Sequence, residues 1–285
     1  MQVKKEECAE ALYLMSMYSV GILQRHTPRQ RAERKKITRE GKAKINAMHR
    51  KYALMLLVNA NFEPGRDLFV YLGWAHEPSD AEDRAAMRNF HRRMTAFYQK
   101  KGIPYKYVDV PEEHTRDGEP CRKHHHLILS GAGRRMLGKI IECWGCGSVD
   151  VRTLRELTDN FEDTCRYLLK EQKGKGKRAY NCSQNLRRPP DPLRRKVPDA
   201  ESGVVPPGVK VIRHDMRDTV CGRYEILVGK IIDQNAFDRY WQRAKTDKRS
   251  YDARSFWRSQ SAKKIHREHG GGVSARRRAG GMLKS

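Results

Sequence analysis

The sequence predicts an α+β fold, with a central antiparallel sheet of about five strands and flanking helices. Two observations support this class. Short segments rich in aromatic and β-branched residues alternate with longer segments whose apolar residues recur at helical spacing. Two of the strand-like segments are also joined by the turn-rich loop 115–120, which is typical of antiparallel neighbours. A basic N-terminal arm and a C-terminal accessory region are expected on either side of this centre.

Residues 1–50 are predicted to form the basic helical arm. The apolar stretch near Tyr13 favours a helix within residues 1–24. From Arg25 to Lys51, eleven Lys or Arg residues stand against two acids, Glu33 and Glu40. Such a run is typical of a solvated helix or, in a strongly basic chain, of an arm that faces a polyanion.

Residues 51–190 are predicted to form the central domain. Its longest helix is expected over 78–101, where Met87, Phe90, Met94 and Phe97 recur at helical spacing. The other predicted elements are strands at 67–72, 105–110, 124–129 and 148–151 and helices at 133–143 and 159–172.

The rest of the chain is less regular. Three prolines between residues 189 and 192 end the central domain, and residues 191–232 are predicted to be a linker followed by a small β accessory segment. Residues 233–285 are expected to form a basic, partly flexible tail because helix-like sequence gives way to runs of glycine and arginine.

A net charge of +25 indicates a polyanionic partner, because neutralised phosphates release their condensed counterions. Charge alone does not separate an enzyme from a structural nucleic-acid protein. A membrane surface is less favoured, since no long basic amphipathic helix with an aromatic face stands out. The seven cysteines have irregular spacing, no cleavable signal is evident, and the longest apolar run, 52–60, is too short for a membrane span. We therefore expect a soluble protein in a reducing compartment.

The segment 121–129 contains the strongest local motif, three consecutive histidines followed by aliphatic residues. In a strand, His124 and His126 project from one face while His125 faces the other. Two imidazoles on one face can chelate a divalent ion, although a histidine cluster without a metal has the same pattern. A carboxylate could complete such a site. Asp109, Glu112 and Glu113 all remain candidates, and we favour Glu112.

A second motif places Tyr167 and Lys170 three residues apart on a predicted helix, so the two side chains share a face. A phenol titrates near pH 10 and is a poor nucleophile unless a cation stabilises its anion. Lys170 could do so, or could stabilise charge that develops on a phosphate. A half-buried structural tyrosine would give the same local pattern.

Taken in this order, the motifs resemble those of the HUH endonucleases. The resemblance is to rolling-circle replication initiators of bacterial plasmids and phages, in the branch that includes the filamentous-phage gene II type proteins. It spans roughly residues 40–190. The further similar segments are Asn61-Phe62 with 67–72, 107–112, 144–149 and 183–189. Two positions depart from the family pattern: Gly73 stands where a threonine is usual, and His125 replaces the usual hydrophobic residue.

The resemblance implies an RRM- or ferredoxin-like HUH fold that nicks and rejoins single-stranded DNA. His124, His126 and Glu112 would hold Mg²⁺ or Mn²⁺, and Tyr167, assisted by Lys170, would form a 5′-phosphotyrosine link. Tyr180 is interpreted as structural or as a DNA contact, not as a second nucleophile. Basic residues after the helix would contact phosphates. These are Lys173, Lys175, Lys177, Arg178, Arg187 and Arg188.

The same resemblance implies that the substrate is an origin hairpin or nick site and that host helicase and polymerase are further partners. It places the protein in the bacterial cytoplasm or in the host cell of a mobile element. A conjugative relaxase, a single-tyrosine transposase and a non-catalytic DNA-binding protein on the same scaffold are the alternatives. A zinc-stabilised ribonucleoprotein would instead hold its metal through cysteines.

Overall fold

Two five-stranded antiparallel sheets form the framework of the structure, which is a computed structural model. It describes residues 2–19, 28–115, 119–131, 136–155, 160–169, 179–198, 203–219 and 222–246. In chain order the elements are β1 (Gln2–Ala9), β2 (Leu12–Ser19), α1 (Pro28–Asn59), β3 (Leu68–Gly73), α2 (Asp80–Lys100), β4 (Tyr107–His114), β5 (Pro120–Leu129), α3 (Leu137–Trp144), β6 (Val149–Thr153), α4 (Glu162–Leu168), β7 (Asn181–Cys182), β8 (Leu193–Val197), β9 (Val209–Thr219), β10 (Gly222–Ile231) and α5 (Gln234–Thr246). The predicted α+β class is confirmed, and the second sheet has five strands where only a small β accessory segment was predicted.

The central sheet has the strand order β6-β3-β5-β4-β7. Four of its strands, β3, β4, β5 and β6, and its helices α2 and α3 fall close to the predicted segments, whereas the short strand β7 was not predicted. Helix α2 begins at a capping box, because Ser79 and Glu82 each satisfy the other's backbone N–H. On one face of the sheet, the apolar stripe of α2 and the buried side of α3 pack against residues such as Leu127 and Leu129.

The second sheet has the order β8-β1-β2-β10-β9 and contains the N-terminal hairpin. The prediction of a helix within residues 1–24 is therefore wrong for residues 2–19. The alternation that would reveal β1 is hidden, because Lys4 and Glu6 occupy buried positions of the strand. Arg195 of β8 pairs with Glu6 at 2.6 Å, so these charges are compensated inside the fold. The predicted β accessory segment supplies the remaining three strands of this sheet.

One hydrophobic core joins the two sheets through the end of α1. Leu54 to Val58, in the apolar run of this helix, are buried against β2 and β10 of the second sheet and against β4 and β5 of the central sheet. Alternate residues of β2 serve the two faces, since Leu14 belongs to this core and Tyr13 to the opposite one. The predicted basic arm is thus continuous with a core helix.

Helix α5 covers the other face of the second sheet. Phe237 and Trp241 are buried there with Tyr13 and Leu227. The start of the predicted tail is therefore a helix, as its helix-like sequence indicated, and its apolar stripe at helical spacing is buried against the sheet. The glycine- and arginine-rich residues 251–285 lie outside the described ranges. Among the helices of the described ranges, none is long and apolar enough to cross a membrane.

Candidate metal centre and nucleophile

Strand pairing between β4 and β5 brings two histidines and one carboxylate together. Glu112 lies opposite His124, and both residues lie on the face that also carries His126. The Glu112 Oε2 atom is 3.2 Å from His126 Nε2 and 3.6 Å from His124 Nε2. Candidate ligand atoms of the three residues all lie within 4.8 Å of one another. Glu112 and His126 are buried, and the His124 side chain is 13% exposed.

The three carboxylates left open by the sequence have different roles in the structure. Glu112 joins the two histidines, whereas Asp109 lies on the opposite face of β4 and contacts His125. Glu113 forms an ion pair with Lys123 at 3.1 Å. The favoured choice of Glu112 is therefore the one consistent with the side-chain geometry.

The donor set fits a divalent metal ion. Two imidazole nitrogens and one carboxylate oxygen suit several first-row divalent ions, and the carboxylate also suits Mg²⁺. His124 Nδ1 lies 2.8 Å from the Arg122 carbonyl oxygen, which can only accept a hydrogen bond. The Nδ1 atom therefore carries the proton, which leaves Nε2, on the side of Glu112, free of one in the neutral ring.

Aromatic residues of β3 pack against the two histidines. The Tyr71 ring lies 5.1 Å from the His124 ring and 5.6 Å from the His126 ring, and Phe69 stacks on His126 at 5.8 Å. This packing leaves no room for a side chain at Gly73. A Cβ atom there would lie 2.8 Å from the Tyr71 ring and 2.5 Å from Ser148 Oγ. A threonine at this position would displace Tyr71.

Helix α4 carries Tyr167 to the edge of the same group. The Tyr167 hydroxyl is 3.4 Å from His126 Nε2, and the two ring centroids are 5.0 Å apart. Cys165 and Leu168 are buried in the shared core, which fixes the opposite side of the helix. Tyr167 itself is 45% exposed. The structure thus combines a solvent-accessible phenol with a group that could hold a metal ion.

An open cleft of about 1400 Å³ extends from Tyr167 and His126 between α4 and the edge strand β6. Arg152, Arg155 and Arg166 are among its lining residues. Arg152 pairs with Asp150 at 2.7 Å, and Arg166 pairs with Asp163. The cleft is large enough for an extended chain segment or several nucleotides and carries both signs of charge.

The predicted basic residues after Tyr167 are not brought to this cleft by the described part of the structure. Lys170, Lys173, Lys175, Lys177 and Arg178 lie outside the described residues. Arg187 donates to the Ala60 carbonyl oxygen at 2.8 Å, pairs with Glu10, and lines a separate cavity. Arg188 is exposed.

Tyr180 is half-buried against the shared core, and its burial raises the pKa of the phenol. These observations favour its interpretation as a structural residue.

Sequence reasoning missed a buried charge network on the face of β4 and β5 opposite the Glu112–His124–His126 group. His125 Nδ1 is 2.7 Å from Asp109 and its Nε2 is 2.9 Å from Asp83 of α2. Burial alone would lower the pKa of His125, but these two carboxylates outweigh it and raise the pKa to about 9. Asp83 also accepts a hydrogen bond from Trp74 Nε1 at 3.1 Å. One feature of the sequence could have indicated this network. Asp83 precedes Met87 by one helical turn and so falls on the buried stripe of α2, where a carboxylate needs a partner.

Within the described part of the chain, no group of three or more candidate metal ligands contains a cysteine, and the six described cysteines are free thiols. The zinc-binding alternative therefore has no support in these ranges. No family model, no curated protein and no solved structure gives a significant match to this chain.

Proposed function

We propose that this protein is a metal-dependent endonuclease that nicks and rejoins single-stranded DNA through a covalent phosphotyrosine. The observation that carries the proposal is the 3.4 Å separation between the Tyr167 hydroxyl and Nε2 of His126, a member of the Glu112–His124–His126 group. A nucleophile beside a group that could hold a divalent ion is an arrangement suited to phosphoryl transfer. The choice of single-stranded DNA as substrate and of replication initiation as biological role rests on the resemblance of the motifs to those of HUH rolling-circle replication initiators.

In the proposed reaction, the Tyr167 oxygen attacks the scissile phosphorus. The new bond joins that oxygen to the 5′-phosphate, and the bond from phosphorus to the 3′-oxygen breaks. Because Tyr167 is 45% exposed, its phenolic proton can pass to water, and the departing 3′-oxygen takes up a proton to give a free hydroxyl. Attack by a 3′-hydroxyl on the phosphotyrosine reverses these bond changes and rejoins the strand.

Glu112, His124 and His126 would hold Mg²⁺ or Mn²⁺ beside this phosphate. When bound, such an ion polarises a phosphoryl oxygen and offsets charge that develops on it. Phe69 and Tyr71 keep the two imidazoles in place by packing against their rings. The net charge of +25 supports a polyanionic substrate. A replication initiator acting at a plasmid or phage origin, together with host helicase and polymerase, is the role that we favour.

The test is covalent capture of DNA. The protein is incubated with a library of labelled single-stranded oligonucleotides and Mn²⁺, and adducts are separated on a denaturing gel. We expect an adduct with the natural protein and its loss in Tyr167→Phe and in the His124→Ala/His126→Ala double variant. Tyr180→Phe is the matched control and should retain the adduct. An adduct that persists in Tyr167→Phe would overturn the nucleophile assignment, and metal-independent adduct formation would overturn the role of the ion.

A further inference from the structure

The helix that carries Tyr167 is short and is anchored at its N-terminal end. Asn59 of α1 donates a hydrogen bond to the Asn160 carbonyl at 2.9 Å, and the Asn160 side chain accepts one from the Glu162 N–H at 3.0 Å. Phe161 adopts a left-handed backbone with φ of 55°, which is strained for a phenylalanine, and its side chain is buried in the shared core. The first residues of α4 therefore have their position set by contacts outside the helix.

Glu162, the first residue of α4, connects the helix to two distant parts of the chain. Its carboxylate is 2.7 Å from Lys51 Nζ of α1 and also pairs with Arg213 of β9, the edge strand of the second sheet. Arg213 in turn donates to the Tyr52 hydroxyl at 2.8 Å. The Glu162 side chain is only 12% exposed. Burial would raise the pKa of this carboxyl, but the two cations outweigh burial and lower it.

Because α4 is short, the ion pairs of Glu162 can affect the orientation of Tyr167. The tyrosine follows Glu162 by five residues, which corresponds to about 7.5 Å along a helix. A small rotation at the start of so short a helix changes the direction of the phenol. In reactions that depend on aligned reactants, a displacement of about 1 Å can lower the rate by about 100-fold.

We propose that Glu162 is a positioning residue for the nucleophile and that Arg213 couples the second sheet to the orientation of Tyr167. The inference rests on the proposed function, because it assigns Tyr167 the role of nucleophile. The second sheet then contributes to the reaction without touching the metal-binding group. Its edge strand, through Arg213, holds the helix that presents the phenol to His126.

The test compares variants on one strand. Arg213→Met removes the cation that pairs with Glu162, Arg213→Lys keeps its charge, and Arg217→Met removes an exposed arginine four residues along β9. The rate of adduct formation is measured in a single turnover with saturating oligonucleotide, alongside the Kd values for the oligonucleotide and for Mn²⁺. We expect Arg213→Met to slow the rate by about 10- to 100-fold with both Kd values within about twofold. The rate of adduct formation should fall less in Arg213→Lys than in Arg213→Met, and in Arg217→Met it should equal that of the natural protein.

Hydrogen–deuterium exchange gives a readout that needs neither DNA nor metal. In Arg213→Met and in Glu162→Gln, the amides of α4 should exchange faster, whereas those of β4 and β5 should be unchanged. Unchanged exchange of the α4 amides in both variants would overturn the inference. It would also be overturned if the rate of adduct formation in Arg213→Met fell only in proportion to a loss of Mn²⁺ affinity. If the natural protein forms no adduct while α4 exchange responds as expected, the proposed function fails and the anchoring of the helix stands.

Discussion

The candidate metal-binding group and the candidate nucleophile are held in different ways. Glu112, His124 and His126 lie on two hydrogen-bonded strands within the central sheet, joined by a short stretch of chain. Tyr167 lies on a helix of seven residues, and Glu162 at the start of that helix pairs with Lys51, which precedes it by 111 residues in the sequence. Backbone pairing fixes the first set locally, whereas long-range side-chain contacts fix the second. Substitutions in the Glu112–His124–His126 group and substitutions that affect helix α4 should therefore have different effects.

The largest effect is expected from a change in the candidate metal-binding group itself. His126→Ala removes one of three candidate ligands and should weaken Mn²⁺ binding by more than about 100-fold, since changes in residues that only support a ligand already cost 10- to 100-fold. Isothermal titration calorimetry measures this affinity. His76→Ala, which removes an exposed histidine, is the control and should bind Mn²⁺ normally. Equal affinity in the two variants would place the metal elsewhere.

Disrupting the buried charge network of His125, Asp83 and Asp109 should lower the free energy of unfolding, because the network connects β4 and β5 to α2. His125→Leu places a hydrophobic residue at this position but leaves Asp83 and Asp109 buried without their shared partner. Breaking a buried ion pair in this way costs about 3–5 kcal/mol in the free energy of unfolding. Urea denaturation measures that free energy.

The triple variant His125→Leu/Asp83→Asn/Asp109→Asn tests the reason for that loss. It removes the two carboxylate charges together with the imidazole and should recover part of the lost stability. A loss of less than about 1 kcal/mol in His125→Leu alone would show that the network does not hold the strands together.

A smaller and more local effect is expected on the helix side. Asn160→Ala removes the side chain that accepts a hydrogen bond from the Glu162 N–H, and loss of one such hydrogen bond costs about 1 kcal/mol. The amides of α4 should therefore exchange about fivefold faster, as followed by hydrogen–deuterium exchange. The amides of β5 should not change. Equal acceleration in both elements would mean that the two halves of the site are not held independently.

The same contrast explains which parts of the site could be predicted from the sequence. Strand alternation places His124 and His126 on one face, and the structure has them there. The sequence did not decide which carboxylate would be the third candidate ligand, because Pro111 could have changed the register of β4. The observed pairing of Glu112 with His124 favours Glu112 over Asp109. The position of Tyr167 depends on core packing and distant ion pairs, which have no local sequence signal.

The fold shows the same limit in its second sheet. Lys4 and Glu6 look solvent-exposed in the sequence, but Glu6 is paired with Arg195, which is 189 residues away. Reading β1 as a strand would have required knowledge of that partner. The small β segment predicted near the C-terminal end contains the hairpin of β9 and β10, whereas its pairing with the N-terminal hairpin through β2 was not predicted.

The most direct test of the account is to find which residue carries the DNA. After adduct formation with Mn²⁺, the DNA is digested with nuclease, the protein is cleaved with trypsin, and the peptides are analysed by tandem mass spectrometry. We predict a nucleotide phosphate on Tyr167, in the tryptic peptide 167–170 that follows Arg166. A nucleotide on Tyr71 or Tyr180, or on a residue other than tyrosine, would contradict the account.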